Sequence, residues 1–265
     1  MIVRAVLLAA LAPPVGATML LLFMRLVPGR WEVLRPAATT LARLAPLVAI
    51  VLAIAVLVAL PDPGRDRFRA AWLAPPWFVV RSLLTAAVFA VLGWIAARGP
   101  VAAATAAAGL IALTLFGSSA GFDWIQASYP RFHSAQFGLQ FVAHLWLGGV
   151  AAALLLTLYR SSAPPDPVAV GILVTALMIW AYFWAMAYVV AWSADLPEEA
   201  QWWLSRQVDI WGALLAALAL LQFLIPFSVL LLPAARASRP VVATICAATL
   251  VFRVVEMLWL LLPPA

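Results

Sequence analysis

Two ionisable residues stand three apart in an otherwise apolar run near the C-terminus, Arg253 and Glu256. On a helix that spacing puts both side chains on one face, where a guanidinium and a carboxylate pair. Inside a membrane an isolated charge costs roughly 2.5–3.5 kcal/mol on insertion scales, so Glu256 has to be paired, neutral or in contact with water. Two chemistries fit: a static ion pair, or a carboxylate that handles a proton or a quinone headgroup. His144 lies in another apolar run at a depth compatible with Glu256. It either hydrogen-bonds between helices or joins the carboxylate. Tyr182 and Gln222 fall nearer mid-membrane and would extend a polar track inward. Asp123, in Gly121-Phe122-Asp123-Trp124, either caps the following turn or binds a headgroup.

The same inventory limits metal chemistry. Cys246 is the only cysteine, and the histidines are two, His133 and His144. No disulfide, four-thiolate iron–sulfur cluster or c-type haem attachment can be assembled from that set. Eleven residues apart on one helix, the two imidazoles would sit roughly 16 Å from each other, too far to share one iron. No intrinsic metal site is expected, and haem or iron–sulfur groups would belong to other chains.

The elements that must hold these residues follow from composition. The chain has 265 residues, 67% hydrophobic and 10% charged, with a mean hydropathy of +1.08. That leaves too little polar surface for a soluble fold and indicates a multi-pass membrane protein. All 16 basic residues are arginine. In a soluble chain the pI near 10.7 would point to nucleic acid; here it points to topology signals and anionic headgroups, with no nucleic-acid partner. Apolar stretches recur eight times, at about 4–26, 42–60, 79–97, 101–120, 136–158, 168–192, 208–232 and 240–262. Without period-two alternation they are expected to be helices, giving an all-α integral membrane protein of about eight spans. The first has a signal-like start, with Arg4 and Val15-Gly16-Ala17. Its apolar run continues through Met19 to Phe23, which predicts a retained helix.

Links fall alternately on two sides. One carries Arg25, Arg30, Arg35, Arg43, Arg98, Arg160, Arg236 and Arg239 against Glu32 and Asp166. The other carries Arg4, Arg65, Arg67, Arg69, Arg81, Arg131 and Arg206 against Asp62, Asp66, Asp123, Asp195, Glu198, Glu199 and Asp209. The first side is nearly pure arginine and is expected in the cytoplasm, with both termini outside in the periplasm of a bacterial inner membrane. The outer links are longer and rich in tryptophan, which anchors at the interface. Trp124, Trp202, Trp203 and Arg206 are candidates for docking a partner there.

Three segments go beyond membrane statistics. Phe122-Asp123-Trp124-Ile125 with Pro130, Phe132, Ser134, Phe137 and Gly138 resembles the signature loop of the second quinol-binding-type membrane subunit of bacterial alternative complex III. That subunit is part of the wider NrfD and polysulfide-reductase membrane-subunit family. Trp180-Ala181-Tyr182, Trp192, Leu196-Pro197-Glu198-Glu199, Trp203 and Arg206 resemble the family's next helix and outer loop. Phe223, Pro226-Phe227 and Leu230-Leu231, then Glu256, Trp259 and Pro263, are similar to its last two helices. Trp31, Pro76-Trp77-Phe78 and Arg81 fit more loosely.

The resemblance implies two four-helix bundles, residues 1–120 and 136–265, joined by an outer signature loop at 121–135. It also implies work in a quinol-oxidising respiratory complex beside iron–sulfur and haem c proteins, a paralogous membrane subunit and a terminal oxidase. The chain departs from the family where polar groups would sit: Tyr129 and Arg131 flank the loop proline in place of an acidic residue and a histidine. Ala187 replaces a glutamine, Gln222 a histidine, and Glu256 and Leu258 an aspartate and a tyrosine. The leading expectation is a non-catalytic subunit that anchors peripheral redox subunits and keeps a degenerate quinone or proton site at His144, Tyr182, Gln222 and Glu256. A catalytic quinol:acceptor oxidoreductase subunit, using Asp123 or His144 with Glu256, is the alternative. An unrelated transporter is the third reading, although broken helices and repeated motifs are not evident.

Overall fold

The structure is a computed structural model describing residues 1–58, 60–62, 67–129, 132, 134–194 and 197–263, with the side chains of residues 194 and 198 set aside. Arg65, Asp66, Pro130, Arg131, His133, Asp195, Leu196 and the side chain of Glu198, all named above, lie outside the described residues.

Among the described residues there is no strand. The helices are α1 (Ile2–Leu26), α2 (Arg35–Ala42), α3 (Ala45–Val58), α4 (Arg67–Trp72), α5 (Pro75–Arg98), α6 (Ala103–Trp124), α7 (Phe137–Arg160), α8 (Pro167–Ala194), α9 (Pro197–Leu204), α10 (Asp209–Ala217), α11 (Ile225–Leu231), α12 (Pro233–Ala237) and α13 (Arg239–Leu261). A π-helical stretch, Leu218–Leu224, joins α10 to α11 without a break. Among the described residues seven helices are long and apolar enough to cross a membrane: α1, α5, α6, α7, α8, the α10–α11 rod and α13.

The second apolar stretch differs from the single span expected at 42–60. It is a broken pair, Arg30–Ala42 and Ala45–Val58, bent by 45°. Pro46, in the first turn of α3, has no N–H to offer the carbonyl of Ala42, so the ladder of α2 is not continued there. Counted as one span, the pair brings the total to eight. Proline also accounts for the π-helical stretch. Pro226 offers no N–H to Gln222, and its ring crowds that carbonyl, which favours a locally wider turn.

The helices gather around α1 and α7. Their backbones touch: a Cβ on Gly16 would lie 2.0 Å from the Leu145 carbonyl oxygen, and one on Gly149 would lie 2.1 Å from the Gly16 carbonyl carbon. In lipid there is no hydrophobic drive between helices, so close approach through small residues supplies the packing. Around this pair sit α2, α6 and α13, with α3 and α5 against α1 and α8 against α7.

Polar contacts tie the links into two ends. At one, Arg25 Nε donates to the Val101 carbonyl at 2.6 Å, Arg30 pairs with Asp166 at 3.2 Å, Arg160 donates to Thr40 Oγ1 at 3.0 Å, and Arg239 donates to the Leu158 carbonyl at 2.7 Å. At the other, Arg69 donates to the Ala127 carbonyl and Arg81 pairs with Asp123 at 2.9 Å. The grouping of links expected from the alternation of spans is therefore present.

Candidate functional site

Glu256 occupies the position predicted for it, one turn along α13 from Arg253, and the pair forms: Arg253 Nη1 to Oε2 is 2.6 Å. Three further side chains from two other helices reach the same carboxylate. His144 Nδ1 of α7 lies 2.6 Å from Oε2, and from α8 the indole N–H groups of Trp180 and Trp184 donate to Oε1 at 2.9 and 2.7 Å. Glu256, His144 and Arg253 are all buried. The carboxylate thus has both oxygens filled by four donors, and a buried charge is tolerable only with such partners. Arg253 also stacks on the Trp180 ring at 4.8 Å, and His144 lies parallel to Phe141 with centroids 5.7 Å apart.

The short Nδ1 contact sets the imidazole's chemistry. A neutral ring donating from Nδ1 leaves a lone pair on Nε2, and Nε2 has no hydrogen-bond partner among the described residues. Arg253 Nε and Nη2 are likewise buried without a partner among the described residues. The cluster is a fixed, nearly charge-balanced knot binding α7, α8 and α13. Beside it, a cavity of about 320 Å³ is lined by Trp180, Trp184, Tyr188, Trp203, Leu218 and Phe223. The indoles that hold Glu256 form one of its walls.

The other members of the expected polar track do not join. Tyr182 is 58% exposed, pointing away from the core that its neighbours Trp180 and Trp184 enter. Gln222 is buried on the π-helical stretch, but neither amide atom makes a hydrogen bond with a described residue. Asp123 does not cap a turn, since the 3-10 turn Gln126–Ser128 has no side-chain cap. Its carboxylate is instead gripped by Arg81, from Nε and Nη2 at 2.9 Å each, and by the Trp72 indole at 2.9 Å. Arg81 lies 4.1 Å over the Trp72 ring and donates to that residue's carbonyl. This knot links α4, α5 and α6 and is separate from the one at Glu256.

The four docking candidates are internal. Trp124, Trp202, Trp203 and Arg206 are 1, 8, 5 and 0% exposed, which leaves them no surface to present to a partner. Trp124 donates to Ser82 Oγ at 3.1 Å and meets Phe89 edge-on. Arg206 donates to the Trp202 carbonyl at 3.0 Å and lies 4.0 Å over the Trp202 ring and 4.5 Å over Tyr129. Burial pushes the Tyr129 phenol above its ordinary value, while Arg206 pulls against that shift. The tryptophan core continues through Trp259, which packs on Trp184 at 5.1 Å and donates to the Trp211 carbonyl at 3.0 Å.

Sequence reasoning missed Trp184 altogether and gave Trp180 no role toward Glu256. The available signal was their spacing: indoles four apart share a helix face, and two N–H donors well inside an apolar span need an acceptor there. Among the described residues no three or more His, Cys, Asp or Glu side chains are grouped so as to hold a metal ion. In comparisons with known proteins, the chain matches no family model and no curated protein.

Proposed function

We propose that the chain is an integral-membrane subunit of a quinol-oxidising electron-transfer complex of the alternative complex III type. Its spans form two four-helix bundles, with α1 against α7 as their seam, in a bacterial inner membrane. The arginine-rich end faces the cytoplasm and both termini face the periplasm. Haem and iron–sulfur groups reside in partner subunits. The observation that carries this reading is the convergence of the motif residues. Trp180, Trp203, Arg206, Glu256 and Trp259 are spread along the C-terminal part of the sequence, yet they pack into one aromatic and charged core. Glu256 there acts as a tie between helices, because its oxygens are filled by protein donors.

A catalytic reading draws support from one feature: buried His144, whose Nε2 has no partner among the described residues, shares Glu256 with the two indoles that line the cavity. One purification separates the readings. Isolated from its native membrane in mild detergent, the chain should bring with it subunits showing c-type haem absorbance and iron–sulfur spin signals; a chain that purifies alone overturns the proposal. In that complex, His144→Gln keeps a donor toward Glu256 but ends proton transfer at the ring. Unchanged quinol oxidation supports the structural tie, whereas turnover lost from an intact complex moves the assignment to catalysis.

A further inference from the structure

The arginines at the basic end are not equivalent. Arg30 and Arg35 take that end's two acids, Asp166 at 3.2 Å and Glu32 at 3.1 Å. Arg25, Arg236 and Arg239 donate to backbone carbonyls and Arg160 to Thr40. Arg43 and Arg98 remain, and neither guanidinium makes a hydrogen bond or ion pair with a described residue. The two come together: a cavity of about 380 Å³ is lined by Arg43, Trp94, Ala97 and Arg98.

We propose that this cavity binds the phosphate of an anionic phospholipid. Two guanidinium groups with free N–H donors and no remaining carboxylate to neutralise them call for an external anion, and guanidinium matches phosphate geometry. Trp94, half exposed one turn before the end of α5, carries Arg98 3.4 Å over its ring. A tryptophan so placed sits at headgroup level, where it aligns a lipid rather than a soluble ion. The fold supplies the space. The chain breaks at Arg43 and Leu44 as α2 gives way to α3, and Gly93 lets α5 approach that break, where a Cβ would come 2.5 Å from Ala45 Cβ. The inference does not depend on the proposed respiratory role.

The test uses the full chain in detergent, with retained lipid counted by native mass spectrometry during titration with phosphatidylglycerol or phosphatidylcholine. Phosphatidylglycerol should be retained preferentially. Arg43→Gln and Arg98→Gln should each weaken its retention about fivefold, given the usual contribution of one arginine near an anionic headgroup. Arg160→Gln, a same-face control, should not. Retention unchanged from the parent in the cavity variants, an equal loss in the control, or no preference over phosphatidylcholine overturns the proposal. Displacement of the lipid by millimolar inorganic phosphate overturns its assignment to a lipid. Arg43 is exposed and its guanidinium makes no hydrogen bond with a described residue, so its variant isolates binding from folding; an unchanged thermal transition is the check.

Discussion

His144 Nδ1 lies 2.6 Å from Glu256 Oε2 across the boundary between α7 and α13, although 112 residues separate them. With Arg253 on the same oxygen and two indoles on the other, the carboxylate is the point at which three spans are joined.

Removing only the negative charge should therefore cost more than removing the pair. Glu256→Gln leaves Arg253 buried without a counter-charge, and breaking a buried pair in this way costs about 3–5 kcal/mol. Glu256→Gln combined with Arg253→Met should recover more than half of that loss. Thermal unfolding in detergent for the single and double variants closes the cycle. A single variant as stable as the parent would show that the pair does not hold the helices.

The glycine seam offers a sharper steric test. Gly149→Ala forces a methyl group into the Gly16 backbone and should lower stability by about 2 kcal/mol or more, within the range for overpacking. Gly171→Ala meets nothing within 4 Å and should be neutral or slightly stabilising, since alanine is the better helix former. Equal melting temperatures for the two variants would place α1 and α7 farther apart than described.

Alkaline pH provides a third handle, through Tyr129 outside the spans. Its phenol is raised in the folded chain, so the folded state holds the proton to higher pH than the unfolded state does. The corresponding stability is fully present below the ordinary tyrosine value near 10 and is lost as pH rises through the folded value. Melting temperature should fall as pH rises above about 10 in the parent, and Tyr129→Phe should flatten that slope. Parallel profiles would mean that the phenol is not buried as described.

What could be read from sequence divides along physical lines. The apolar runs, the Arg253–Glu256 pair and the shared depth of His144 and Glu256 were legible, because run length, helix periodicity and charge scarcity each leave a mark in sequence. The bend at Arg43 and the wide turn before Pro226 were not drawn, though both carry a proline as a signal. Tyr182 was placed in the polar track and stands instead on the outside of α8. That helix is apolar on every side, so no amphipathic pattern distinguishes its buried face from its outer one. Tryptophan misled for a related reason: an indole belongs equally well at an interface or in a buried core with an acceptor, and sequence alone does not show the acceptor.

The contact between α1 and α7 also sets an order of events during synthesis. The first helix enters the bilayer when its partner has not been made, and at 5–20 residues per second the ribosome reaches Arg160 on the order of ten seconds later. Through that interval Gly16 and the surface around it face lipid or a temporary protein companion, while α2, α3, α5 and α6 already have α1 to pack on. Maturation of this protein thus includes a waiting step for α1, ended when the segment of α7 arrives.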